Sequence, residues 1–141
     1  MERYNDQGPT GGLTPHIAIS NGRASAAIDF YVKAFGATEL MRTPAEGDVR
    51  LMHVHLLING ASLMMHDEFP EYVEHHSGPP YGVNLHLQVD DADKWYGRAI
   101  SAGATPTMPL QEMFWGDRYG QLQDPFGHTW SIGASPSEAS S

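Results

Sequence analysis

The chain has 141 residues, with 8 Lys+Arg against 17 Asp+Glu and a formal net charge of −9. That balance argues against a nucleic-acid partner, whose phosphates need a basic face. The absence of Cys excludes a disulfide framework, a Cys-ligated metal and a cysteine nucleophile.

The first residues, Met1 to Leu13, contain no apolar core segment, so they read as a flexible arm over 1–12 rather than a secretory signal. No apolar run approaches the roughly 18 residues a membrane span needs. The expected setting is the cytoplasm, with no membrane partner. Residues 15–20 alternate, Ile17 and Ile19 on one side against His16, Ala18 and Ser20 on the other, which is strand patterning. Asn21-Gly22 ends that strand. Ala24, Ala27, Ile28, Tyr31 and Phe35 follow at helical spacing, with Asn21 or Ser25 as N-cap and Gly36 as the left-handed C-cap. Strands are predicted over 38–43, 50–58 and 61–66, the last two joined by Asn59-Gly60, a pair that tolerates the positive φ of a tight hairpin.

Residues 67–81 are acidic, hold Pro70, Pro79 and Pro80 and show no periodicity, so they read as a linker or lid. Within it, Asp67 and Glu68 are expected at a solvated loop end, and His75-His76 in solvent. From 82 the pattern restarts. Asn84, His86 and Gln88 alternate with Leu85, Leu87 and Val89. Asp90 or Asp91 caps a helix carrying Ala92, Trp95, Tyr96, Ala99 and Ile100, and Gly103 ends it. Residues 105–110 form a strand interrupted by Pro106 and Pro109, hence an edge strand. Met113-Phe114-Trp115-Gly116 is an aromatic turn. Strands over 118–123 and 128–133 flank the turn Asp124-Pro125-Phe126-Gly127, with His128 as turn chemistry. A small polar tail over 134–141 is expected to be disordered.

The two runs are one pattern written twice. Phe35-Gly36-Ala37-Thr38 recurs as Ala102-Gly103-Ala104-Thr105, 67 positions on. The chain is therefore expected to be α+β, with two βαβββ modules, 13–66 and 82–133, sharing one site. The repeat makes His16 equivalent to Asn84 and Met64 equivalent to Ser131. Their neighbours Ile17, Leu85, Leu63 and Trp130 should pack under the helices, leaving the four on the open side of the sheets.

His16-Ile17-Ala18-Ile19 before Ala27-Ile28-Asp29-Phe30-Tyr31, the hairpin 59–65, Trp115-Gly116-Asp117-Arg118-Tyr119-Gly120 and the run 124–130 together resemble the glyoxalase/bleomycin-resistance/extradiol-dioxygenase (vicinal oxygen chelate) superfamily, and its PhnB-like branch in particular. The resemblance spans about Leu13 to Gly133. It implies a curved, half-open mixed sheet, a homodimer, and a ligand cavity between the modules. In the superfamily's metalloenzymes one ligand comes from the first and last strand of each module, which here are His16, Met64, Asn84 and Ser131. Only His16 offers a strong donor to a divalent ion, so no cofactor is expected. A displaced divalent site on His16, His66 and His86 is the fallback.

The expected function is small-molecule binding without the metal quartet, with drug or antibiotic sequestration as one version. The ligand is cationic or aromatic, since the net charge would attract a cation and Phe114, Trp115, Tyr119 and Met113 can stack on it. The cavity residues expected are His16, Met64, His66, Asn84, His86, Gln88, Phe114, Trp115, Tyr119 and Ser131. The alternative is a lyase, isomerase or dioxygenase using His16, His66 and His86 with a metal, or metal-free acid–base catalysis by His16 and His86. His53 and His55 share a strand face and read as sheet surface or subunit contact, and Trp95 and Trp130 as core.

Overall fold

A computed structural model describes residues 8–74 and 78–136. The arm, the tail and the linker histidines His75 and His76 lie wholly or partly outside them. The chain divides into two compact units, Met1–His76 and Ser77–Ser141.

The first unit contains β1 (His16–Ile19), α1 (Ala24–Phe35), β2 (Thr38–Pro44), β3 (Leu51–Ile58) and β4 (Ala61–Asp67). Its sheet runs β1-β4-β3-β2, with β1 parallel to β4 and the other pairs antiparallel. The second unit contains β5 (Asn84–Gln88), α2 (Ala92–Ala102), β6 (Thr105–Glu112), β7 (Arg118–Gln123) and β8 (Thr129–Ala134). Its order is β5-β8-β7-β6, again with the first strand parallel to the last. Both units are βαβββ, so the duplication is a fact of topology as well as of wording.

Period-two alternation decides what each strand buries. In the first unit Ile17, Ile19, Val54, Leu56, Leu63 and Met65 are buried, with Ala27, Ile28, Tyr31 and Phe35 of α1. Tyr31 and Phe35, one helical turn apart, stack with ring centroids 6.1 Å apart. In the second unit Leu87, Val89, Leu122, Trp130 and Ile132 are buried with Ala92 and Ala99 of α2. Trp95, expected in the core, is only half-buried.

The helix starts differ between the copies. Asp91 caps α2 locally, accepting the Lys94 N–H at 3.2 Å. The N-cap of α1 is Arg23, which makes no side-chain capping bond, and neither Asn21 nor Ser25 takes the role. Asn21 instead adopts positive φ in the turn before the helix. The capping acceptor comes from Asp67: its carboxylate takes the N–H of Ala24 at 2.9 Å and of Leu51 at 2.7 Å. Asp67 is therefore the fully buried end of β4, not the solvated loop end its neighbourhood suggests. A carboxylate beside the positive end of a helix is also favoured electrostatically.

Gly120 has a packing reason. A Cβ there would lie 2.9 Å from Leu110 Cα and 2.9 Å from the Tyr96 ring. Tyr96 crosses at that point to donate its hydroxyl to the Met108 carbonyl at 3.0 Å. The proline-bearing β6 is the edge strand, with register shifts between Pro106 and Met108 and between Met108 and Gln111.

Candidate functional site

On each sheet the side not covered by the helix carries the polar residues. In the first unit the register sets His16 beside Met64 and Ala18 beside His66 across β1 and β4. It sets His55 beside Met64 across β3 and β4, and Met41 and Thr43 beside His55 and His53 across β2 and β3. Cross-strand partners project to the same side, so four histidines and two methionines share one surface. His16 Nε2 and His66 Nδ1 are 2.8 Å apart, with ring centroids 4.8 Å apart at 81°. The His16 and His53 rings lie 6.2 Å apart. His55, 2% exposed, hydrogen-bonds Ser62 Oγ through Nε2 at 2.8 Å. Burial holds the His16 pKa below the ordinary imidazole value, and the neighbouring His66 adds to the effect. Burial does the same for His53, reinforced by His16 and His55. Like charges this close repel, which disfavours protonation of His16 and His53.

The second unit builds a different surface from the same plan. Asn84, His86 and Gln88 of β5 lie beside Thr129, Ser131 and Gly133 of β8, and Gln121 and Tyr119 of β7 beside Ser131 and Gly133. Ser131, fully buried, is the hub. Asn84 Nδ2 donates to its Oγ at 2.8 Å, and His86 Nδ1 lies 2.7 Å from the same oxygen. His86 Nε2 is 2.8 Å from Gln88 Oε1. An amide oxygen only accepts, so Nε2 donates to Gln88. The His86 and Tyr119 rings stack at 5.9 Å and 18°. Gln121 Nε2 donates to the Tyr119 oxygen at 3.1 Å. That bond holds the phenol below its usual pKa, with Ser131 and then Asn84 pulling the same way against burial. Gly133 leaves room for this layer, since a Cβ there would meet the His86 ring at 3.0 Å. Trp115 stands beyond Tyr119 at 6.4 Å, and Phe114 packs edge-on against it at 4.8 Å. Both are exposed, Phe114 at 97% and Trp115 at 50%.

The repeat-based equivalence of His16 with Asn84 needs correcting. Met64 pairs with His16, but its counterpart Ser131 pairs with His86, and Asn84 pairs with Thr129. The buried set Ile17 and Ile19 likewise matches Leu87 and Val89. The connection from the first strand to the helix is shorter in the second copy, which moves β5 along relative to a simple offset. A matching of burial rather than of letters would have shown it. His53 and His55 were also legible as a shared strand face, but their place beside His16 and His66 depends on which strands pair.

The donor set does not fit a divalent ion at the four superfamily positions. Ser131 is buried with its oxygen engaged by Asn84 and His86, and Met64 offers a thioether too soft for such ions. Among the described residues no three His, Asp or Glu side chains come together to hold a metal. Three carboxylates are paired with arginines: Glu39 with Arg42 at 2.6 Å, Asp48 with Arg50 at 2.6 Å and Asp93 with Arg118 at 2.8 Å. Arg50 holds the Asp48 carboxyl down at a pKa of about 2. Among the described residues no helix is long and apolar enough to cross a membrane.

The chain is similar to the uncharacterised protein Rv0887c of Mycobacterium tuberculosis, 45% identical over 126 residues, covering 86% of this chain and 72% of that one. Among solved structures it is similar to TioX from Micromonospora sp. ML1, with a TM-score of 0.68, 28% identity and coverage of 87% and 98%. A PhnB protein from Bacillus cereus shares the fold at a TM-score of 0.71 and 19% identity, covering 89% of this chain and 100% of that one. The Glyoxalase/Bleomycin resistance protein/Dioxygenase superfamily profile matches residues 14–132. Two βαβββ units with that match establish the family: the chain belongs to the Glyoxalase/Bleomycin resistance protein/Dioxygenase superfamily.

Proposed function

We propose that this chain is a small-molecule binding protein of the PhnB-like branch, taking a neutral, planar aromatic ligand with hydrogen-bonding groups. The observation that carries the reading is the second unit's surface. Asn84, His86, Gln88, Gln121, Ser131 and Tyr119 form a network of donors and acceptors without a carboxylate, and Tyr119, Trp115 and Phe114 adjoin it as exposed or part-exposed rings. No Asp or Glu stands at the register positions of this surface. A cation would therefore find only ring faces there, which favours the aromatic over the cationic version. Sequestration of an aromatic drug is one biological use of such a surface.

The test is tryptophan fluorescence against a panel of planar heteroaromatic compounds. A binder is expected to quench emission, and Trp115→Ala to remove most of the quenching. Trp130 is 3% exposed, so it contributes little. Ser131→Ala, which strips the hub from the network, is expected to weaken binding about tenfold. An absence of quenching across the panel would end the proposal. A second reading, metal-free proton transfer, draws on the lowered Tyr119 phenol and its link to His86. Turnover of a bound compound that Tyr119→Phe abolishes without loss of binding would select it.

A further inference from the structure

The misfit at the superfamily positions has a positive side in the first unit. We propose that His16, His66 and Met64 form a binding site for a soft monovalent metal ion, copper(I) in particular, lying within that unit alone. It uses His16 and Met64, recruits a neighbour on β4 for the third donor, and needs nothing from the second unit.

Three observations bring the donors together. His16 and Met64 are register partners on adjacent parallel strands, about 4.8 Å apart in the sheet and projecting to one side. His66 is the next residue on that side of β4, and its Nδ1 stands 2.8 Å from His16 Nε2. Two nitrogens that each bind one ion at about 2.0 Å must stand about 3.3 Å apart, so the rings need to part by about half an ångström. One of them now carries a proton on a contacting nitrogen, which must leave or move to the other nitrogen when metal enters.

The chemistry of the donors selects the metal. Neutral imidazole together with a thioether matches copper(I) and poorly matches zinc or magnesium, because soft sulfur donors prefer soft ions. Copper(I) also accepts two or three donors, which is what the site offers. No carboxylate stands at the adjoining register positions, which are Ala18, Met41, Thr43, His53, His55 and Ser62. A hard divalent ion would lack the charge compensation it requires.

The absence of Cys makes the test clean, because no thiolate can compete. Tag-free apoprotein is titrated with copper(I) under anaerobic conditions against bicinchoninate, and with silver(I) by calorimetry. One ion per chain is expected. Met64→Leu and His16→Ala are each expected to weaken retention at least about tenfold with the far-UV circular dichroism unchanged. Zinc binding should not respond to Met64→Leu. X-ray absorption of the copper(I)-loaded wild-type protein is expected to show one sulfur neighbour, which in this chain only a methionine can supply. This reading does not depend on whether a variant folds. Failure to retain copper(I) against the competitor, a copper shell without sulfur, or equal affinity in folded Met64→Leu would each overturn the proposal. None of these outcomes bears on the aromatic ligand of the second unit.

Discussion

Asp67 shows how much one side chain can hold. Its two oxygens satisfy the N-terminus of α1 and the first N–H of β3, groups far apart in the chain and both buried. Asp67→Ala leaves two buried donors unpaired, each costing about 1–3 kcal/mol. The expected loss of stability in urea unfolding is about 3 kcal/mol, while Asp67→Asn, which keeps one acceptor, should lose less. At the start of the chain the sequence could not reveal this role. Capping is recognisable when the acceptor precedes the helix, as Asp91 does. Asp67 comes 43 residues after the first residue of its helix, and only the pairing of β1 with β4 brings it back. His16 and His53 give a second residue-scale prediction. Their pKa values are lowered in the fold, so the unfolded chain binds protons more readily than the folded one. Stability is then fully present above the unfolded imidazole value of about 6.5 and falls as pH drops through it toward the folded values. The urea midpoint should decrease between pH 7.5 and 5.5, and His16→Gln should flatten that slope. A midpoint rising with acidity would contradict the lowered pKa values of His16 and His53.

At the scale of elements, the strands were legible because period-two alternation is local. The helices were legible because Gly36 and Gly103 close them in both copies. The edge position of β6 was legible from its prolines. What the pattern could not deliver was register. Sliding β5 by two residues keeps every side chain on its own side, so Asn84 and His86 are equally good partners for Ser131 by alternation alone. The structure chooses His86. The closeness of β6 and β7 was equally hidden. Gly120 reads as an ordinary strand glycine, yet its missing side chain lets Leu110 backbone and the Tyr96 ring approach. Because backbone cannot move aside as a flexible side chain can, Gly120→Ala is expected to cost about 2 kcal/mol by overpacking. Thermal unfolding followed by circular dichroism measures it; a midpoint unchanged from wild type would show that β6 yields.

At the scale of the whole molecule, the chain is one small plan used twice with different surfaces. The first unit carries His16, His53, His55, His66 and Met64, a set of imidazoles and a thioether. The second carries amides, Ser131, His86 and Tyr119, a hydrogen-bonding set with aromatic neighbours. Of the expected site residues, His16, Met64 and His66 meet in one unit, and Asn84, His86, Gln88, Ser131 and Tyr119 meet in the other, with Phe114 and Trp115 beside Tyr119. By itself the sequence determined the duplication, the α+β class, the family and which side of each strand is polar, because these depend on spacing along the chain. Only the tertiary structure decided which polar residues touch, that Asp67 is a buried cap, and that the four histidines of the first unit share a surface. Those outcomes depend on strand pairing and register, where contacts form between residues tens of positions apart and no local pattern fixes the alignment.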